Sequence, residues 1–162
     1  MQATRSVPIR LAEIFPAEAI VVGLVQRTKH GVVEELVHHL VELGNLVERE
    51  EKAVLESILA REKLGSTALG NGIAFPHCRS SLTEKFIGVL GLDSRGVPFD
   101  AVDGEPVHSI FLFLAPLDGR EKHYDVLGRI TAIGKDKGRR VQLWGCRTPK
   151  AAHDSLQAFD RG

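Results

Sequence analysis

The stretch from Arg61 to Arg79 leaves the chain few folds to choose from: Arg-Glu-Lys-Leu-Gly-Ser-Thr-Ala-Leu-Gly-Asn-Gly-Ile-Ala-Phe-Pro-His-Cys-Arg. It opens on a helix end. Leu55, Ile58 and Leu59 recur at helical spacing behind the acidic run Glu48 to Glu51, and Arg61 and Lys63 occupy the last turn. Gly65 follows as the C′ residue. Ser66, Thr67, Gly70, Asn71 and Gly72 then make a loop of small residues whose backbone amides no bulky side chain covers. Ile73, Ala74 and Phe75 read as a short buried strand that Pro76 stops, because proline cannot donate to a ladder. His77 is thereby delivered at a strand end, beside free amides and within reach of a cation. Such a site is built to handle an anion.

The same residues resemble a known signature. Arg-Glu-x-x-Gly-Ser-Thr-x-x-Gly-Asn-Gly-Ile-Ala-Phe-Pro-His is similar to the motif of enzyme IIA domains of the bacterial phosphoenolpyruvate-dependent sugar phosphotransferase system, in the mannitol/fructose class that includes the nitrogen-regulatory proteins. The resemblance implies that His77 is phosphorylated and that Arg61 lies near the phosphoryl group. It also implies a second histidine ahead of a later helix, after an apolar strand ending in Ala-Pro. Ile110-Phe-Leu-Phe-Leu-Ala-Pro116 followed by His123 matches that layout. The likeness runs from the strand at Ile20 to the last helix. It departs at Phe75, where Ile is usual, and at Cys78, where many members carry Gly.

Whole-chain properties narrow the function. With 162 residues the chain suits one domain with a proper core, so residues 1–162 are expected to form a single IIA domain. Lys plus Arg balances Asp plus Glu at 21 each, without the basic excess that nucleic-acid binding calls for. The longest apolar runs, such as Ile110 to Ala115, fall far short of the ~18 residues that span a bilayer. Met1 to Pro8 lacks the apolar region of a signal peptide. Two cysteines, Cys78 and Cys146, make no disulfide framework. The chain reads as cytoplasmic, without membrane insertion.

In order, Met1 to Ser6 reads as a loose arm, and Leu11, Ile14 and Phe15 as an amphipathic turn before Pro16. Ala19 to Leu24 reads as a buried strand. Thr28 caps a helix with Val33, Leu36, Val37 and Leu40 on one face, ended by Gly44. His38 and His39 lie largely off that face and diverge as i,i+1 neighbours, so they are solvated rather than a metal pair. Lys85 to Leu92 is a second strand, with Gly88 and Gly91 where something packs closely. Val97 to Gly104 is a connection with an Asp103-Gly104 turn. Ser109 to Ala115 is the most apolar strand and central. Asp118 with Glu121 has capping-box spacing for a helix that turns Val126, Leu127, Ile130 and Ile133 inward. Arg140 to Trp144 is expected to be a last strand. Thr148-Pro149 opens a final helix with Ala152, Leu156 and Phe159 on one face. Alternating strands and helices predict an α/β domain: a mixed sheet of about five strands with helices on both faces.

A neutral imidazole is nucleophilic near pH 7, since its unperturbed pKa is ~6.5. Phosphoryl transfer asks mainly for positioning and charge stabilisation. Loop amides and a second imidazole can hold the oxygens while Arg61 offsets their charge. Ser66 and Thr67 could bond phosphate oxygens or shape the loop; Cys78 and Arg79 adjoin His77 and are further candidate contacts. Transfer between imidazoles needs neither metal nor cofactor.

By resemblance, the chain is a phosphotransferase-system carrier taking a phosphoryl group from the phosphocarrier HPr onto Nε2 of His77, with Nδ1 oriented by a backbone carbonyl. It then passes the group to a sugar-specific IIB component or regulates target proteins through its phosphorylation state. Without IIB or membrane IIC segments the chain leans toward the regulatory type. Two other readings compete. Gly65-x4-Gly70 has the glycine spacing of a P-loop, but Asn71 and Gly72 replace the required Lys and Ser/Thr, which argues against nucleotide. A zinc-binding regulatory module would use His77, Cys78, His123 and Cys146, with poor ligand spacing in His77-Cys78.

Overall fold

The computed structural model describes residues 8–162; the expected N-terminal arm, Met1 to Ser6, lies outside them. The element order is α1 (Leu11–Ile14), β1 (Ile20–Val22), α2 (Lys29–Glu42), α3 (Glu51–Lys63), β2 (Ile73–Ala74), β3 (His77–Ser80), β4 (Ile87–Val97), β5 (Val107–Pro116), α4 (Arg120–Lys135), α5 (Lys137–Trp144) and α6 (Pro149–Arg161). The strands form one mixed five-stranded sheet. β1 runs parallel to β4, β4 antiparallel to β5, and both β2 and β3 parallel to β5.

β5 is central, as its apolar sequence predicts, and its alternation builds both layers. Ile110, Leu112 and Leu114 face α2 and α3, where they meet Val33, Leu36, Val37, Leu40, Val54 and Ile58. Phe111, Phe113 and Ala115 face the opposite layer, with Phe15, Val126, Ile130, Ile133 and Leu156. A period of two on a pleated strand sends successive side chains to opposite faces, so a fully apolar run suits a strand covered on both sides. The predicted caps hold: Thr28 accepts from the Gly31 amide at 3.0 Å, and Thr148 from the Ala151 amide at 3.1 Å. Gly88 abuts Ile14 and Phe15, and Gly91 abuts Leu24 and Leu36, which explains the two glycines in β4.

Three local expectations are corrected. Arg140 to Trp144 is helix α5, not a strand; the Asp136 carboxylate caps it by accepting from the Arg139 amide at 3.1 Å. Five residues with Val141 and Leu143 apolar satisfy either period, and this cap decides for the helix. Asp118 and Glu121 form no capping box. The helix starts at Arg120, one residue later than that spacing requires, with Gly119 as its N-cap in the left-handed region at φ 85° and no side-chain cap. Pro76 interrupts its strand without ending it. Its carbonyl accepts from the Phe113 amide at 3.1 Å, and pairing with β5 resumes at His77.

Candidate functional site

His77 opens β3 opposite Phe113. Its ring lies flat on the Phe113 ring, with centroids 4.8 Å apart and planes inclined by 5°. Nδ1 donates to the Phe75 carbonyl at 2.7 Å, which leaves Nε2 with the lone pair. His123, from the first turn of α4, brings its ring edgewise to His77, with centroids 5.0 Å apart.

Both imidazoles are buried, and burial disfavours their charged forms. For His77, burial is the main force holding the pKa below its ordinary value; the Phe75 carbonyl opposes it and the Arg61 guanidinium adds to it. The His123 pKa is pushed down to about 4, by burial first and then by His77 and Arg79. Both rings are therefore neutral at pH 7. The Nδ1 atom of His123 is buried and has no hydrogen-bond partner in the protein.

The cations come from two elements. Arg61, in the last turn of α3, donates from Nη1 to the Gly65 carbonyl at 3.0 Å, which ties the helix end to the glycine loop. Arg79 lies two residues beyond His77 on β3, hence on the same face of the sheet. Its charge lowers the pKa of both histidines.

The other candidates sit differently. Cys78 points to the opposite face, into the core with α2 and α3, where burial raises its thiol pKa to about 11. Alternation along β3 thus separates Cys78 from the His77 face. The Ser66 hydroxyl donates to the Phe99 carbonyl and accepts from the Ala68 amide. Thr67 is 1% exposed; its hydroxyl donates to Glu62 and accepts from the Phe75 amide. These two hydroxyls shape the loop.

Nothing among the described residues supports the zinc reading, and the pleat of β3 sends Cys78 to the opposite face from His77. Trp144, two residues before Cys146, packs on His108, whereas His77 pairs with Phe113 further along β5. At about 3.3 Å per residue, five positions on a strand separate the two ends by roughly 17 Å. Among the described residues, no group of three or more His, Cys, Asp or Glu side chains could hold a metal.

Two further residues shape the site. Phe113, within the apolar run of β5, forms the floor under His77. Glu62, beside Arg61 in the last turn of α3, is a carboxylate only 5% exposed. An acid in the last turn of a helix, next to a loop of amide and hydroxyl donors, is its signal in the sequence.

An imidazole with one ring nitrogen bonded to a carbonyl, a second neutral imidazole against it and two arginines whose charge reaches the pair make a geometry suited to a phosphoryl group. The chain belongs to the family described as "Phosphoenolpyruvate-dependent sugar phosphotransferase system, EIIA 2", whose sequence profile matches residues 13–158. It is 40% identical over 160 residues to a nitrogen regulatory protein of Pseudomonas aeruginosa, covering 95% of this chain and 99% of that protein. It is 28% identical over 153 residues to the fructose-specific EIIABC component of Bacillus subtilis, covering 94% of this chain but 24% of that longer protein. Among solved structures it resembles the nitrogen regulatory protein IIA-Ntr of Neisseria meningitidis, with TM-score 0.81, 32% identity and coverage of 90% and 98% of the two chains.

Proposed function

We propose that this single domain, spanning residues 1–162, accepts a phosphoryl group on Nε2 of His77 from an HPr-type phosphocarrier and acts through its phosphorylation state on partner proteins, as a nitrogen-regulatory IIA. The observation that carries this reading is the 2.7 Å bond from His77 Nδ1 to the Phe75 carbonyl, which reserves Nε2 as nucleophile. The Nε2 lone pair forms the new N–P bond while the donor's N–P bond breaks, and the donor nitrogen keeps that electron pair. Arg61 and Arg79 offset the charge of the transferring group, and the unpartnered ring nitrogen of His123 supplies a contact for a phosphoryl oxygen. Ser66 and Thr67 hold the loop in shape, and the Cys78 thiol takes no part. In enzymatic terms the chain is a phosphotransferase working through a phosphohistidine intermediate.

Relay to the cysteine of a IIB component is the second reading. It is favoured by the likeness to part of a fructose-specific EIIABC protein. The higher identity to a nitrogen regulatory protein of matching length favours the regulatory role. The work is cytoplasmic in either case; no helix among the described residues is long and apolar enough to cross a membrane.

Incubation with phosphoenolpyruvate, enzyme I and HPr should add one acid-labile, base-stable phosphoryl group, and His77→Ala should abolish it. Label that persists in His77→Ala, or that resists mild acid, would overturn the assignment.

A further inference from the structure

We infer that Glu62 is a positioning residue for phosphotransfer, holding, through Thr67 and the Phe75 main chain, the carbonyl that selects the His77 tautomer. The inference rests on His77 as the phosphoacceptor.

Glu62 lies in the last turn of α3, where the helix dipole is unfavourable to an anion, and it is buried. A carboxylate in such a place is costly unless fully partnered. Its partners come from two directions. Lys29, at the start of α2, meets Oε2 at 2.9 Å. The Thr67 amide donates to the carboxylate at 3.2 Å, and the Thr67 hydroxyl donates to Oε1. A hydroxyl has one proton to give. With that proton committed to Glu62, the Thr67 oxygen turns a lone pair to the Phe75 amide, which donates at 3.2 Å.

Phe75 is thereby pinned on its amino side by Thr67. Beyond it, the Pro76 carbonyl is held by the Phe113 amide of β5. Between these anchors sits the Phe75 carbonyl, which accepts from His77 Nδ1. Pro76 has no N–H, so the peptide that carries this carbonyl has no donor of its own with which to anchor itself. Thr67 and β5 supply what that peptide lacks. Free imidazole exchanges its proton between both nitrogens; a fixed carbonyl at Nδ1 keeps Nε2 unprotonated and ready to attack. A purely structural Glu62, tying α3 to the loop, would leave the tautomer indifferent to its removal.

The test uses the full chain, 15N-labelled, and reads the His77 tautomer from long-range 1H–15N spectra. It is paired with rapid-quench phosphorylation by phospho-HPr. Wild type should show the Nδ1–H tautomer. Thr67→Val keeps the shape and loses the hydroxyl, and Glu62→Gln sets an amide NH2 against the Lys29 ammonium. In each, the Nε2–H tautomer should become populated, and kcat should fall ~10- to 100-fold with KM for phospho-HPr unchanged, the range typical of losing an orienting partner. Thr67→Ser should restore both readouts. Folded Thr67→Val or Glu62→Gln protein with the wild-type tautomer and rate would overturn the inference. So would a loss confined to KM, or a Thr67→Ser variant as impaired as Thr67→Val. The tautomer measurement needs no phosphoryl donor, so it stands apart from a failure of His77 as phosphoacceptor.

Discussion

His123 meets the His77 ring at 67°, with the two centroids 5.0 Å apart, and both rings rest against Phe113. The contact joins β3 to the first turn of α4, so two histidines far apart in sequence share one apolar wall. Each would repel the other if both were charged, and burial already favours the neutral forms. The two imidazoles are therefore neutral together, and the positive charge near them comes from the arginines.

Removing His123 should slow transfer without removing the acceptor. His123→Ala should still be labelled on His77, but with a rate ~10- to 1000-fold lower in at least one direction, as expected for one preorganised donor. Rapid-quench kinetics with phospho-HPr decide this, and wild-type rates would place His123 outside the reaction.

Arg61 supplies charge where the α3 dipole is negative. Its guanidinium also lowers the His77 pKa. Arg61→Gln should therefore raise that pKa, reduce accumulation of the phosphorylated form and flatten the dependence of transfer on salt. Arg61→Lys should restore part of the charge but not a bidentate contact. An NMR titration of His77 together with transfer rates at two salt concentrations checks both effects.

Stability should fall on mild acidification. The His123 pKa is about 4 in the folded protein, against ~6.5 for an unperturbed histidine. Between these values the unfolded chain binds more protons than the folded one, so stability rises with pH across that window. The contribution is complete above pH ~6.5 and is lost as pH falls toward 4; the lowered pKa of His77 acts in the same sense. Urea denaturation at pH 5 and pH 7.5 should show a smaller difference for His123→Asn than for wild type. An equal difference would show that His123 does not carry the effect.

Gly88 admits no side chain. A Cβ there would lie 2.7 Å from Cδ1 of Phe15 and 2.9 Å from Cγ2 of Ile14, and Phe15 is fully buried. Gly88→Ala should cost about 1–3 kcal/mol through overpacking. Urea denaturation measures it, and an unchanged midpoint would mean that α1 yields freely.

Much of the fold was legible because its signals are local. Thr28 and Thr148 announce helix starts through hydroxyls that reach amides three residues on. The unbroken apolar run of β5 announces a strand buried on both faces. Gly88 and Gly91 announced close packing but not its partners, which are Ile14 and Phe15 for the first and Leu24 and Leu36 for the second. Where local signals were short or doubled, they misled. Arg140 to Trp144 fits strand and helix alike, and the Asp118 and Glu121 spacing suits a helix starting one residue earlier than the real one.

The sequence by itself determined the local setting of His77: the proline before it, the glycine loop ahead of it and the arginine at the end of α3 are all within one stretch of chain. Tertiary structure alone decided what surrounds that ring. Phe113 becomes its floor only through the β3–β5 register, and His123 its neighbour only because α4 packs on the same face. Cys78, adjacent in sequence, is sent to the other side by the pleat of one strand. Glu62 reaches the Phe75 main chain only once the loop closes and brings Thr67 between them. Spacing along a chain fixes a residue's neighbours within an element, whereas contacts between elements depend on which faces share a core.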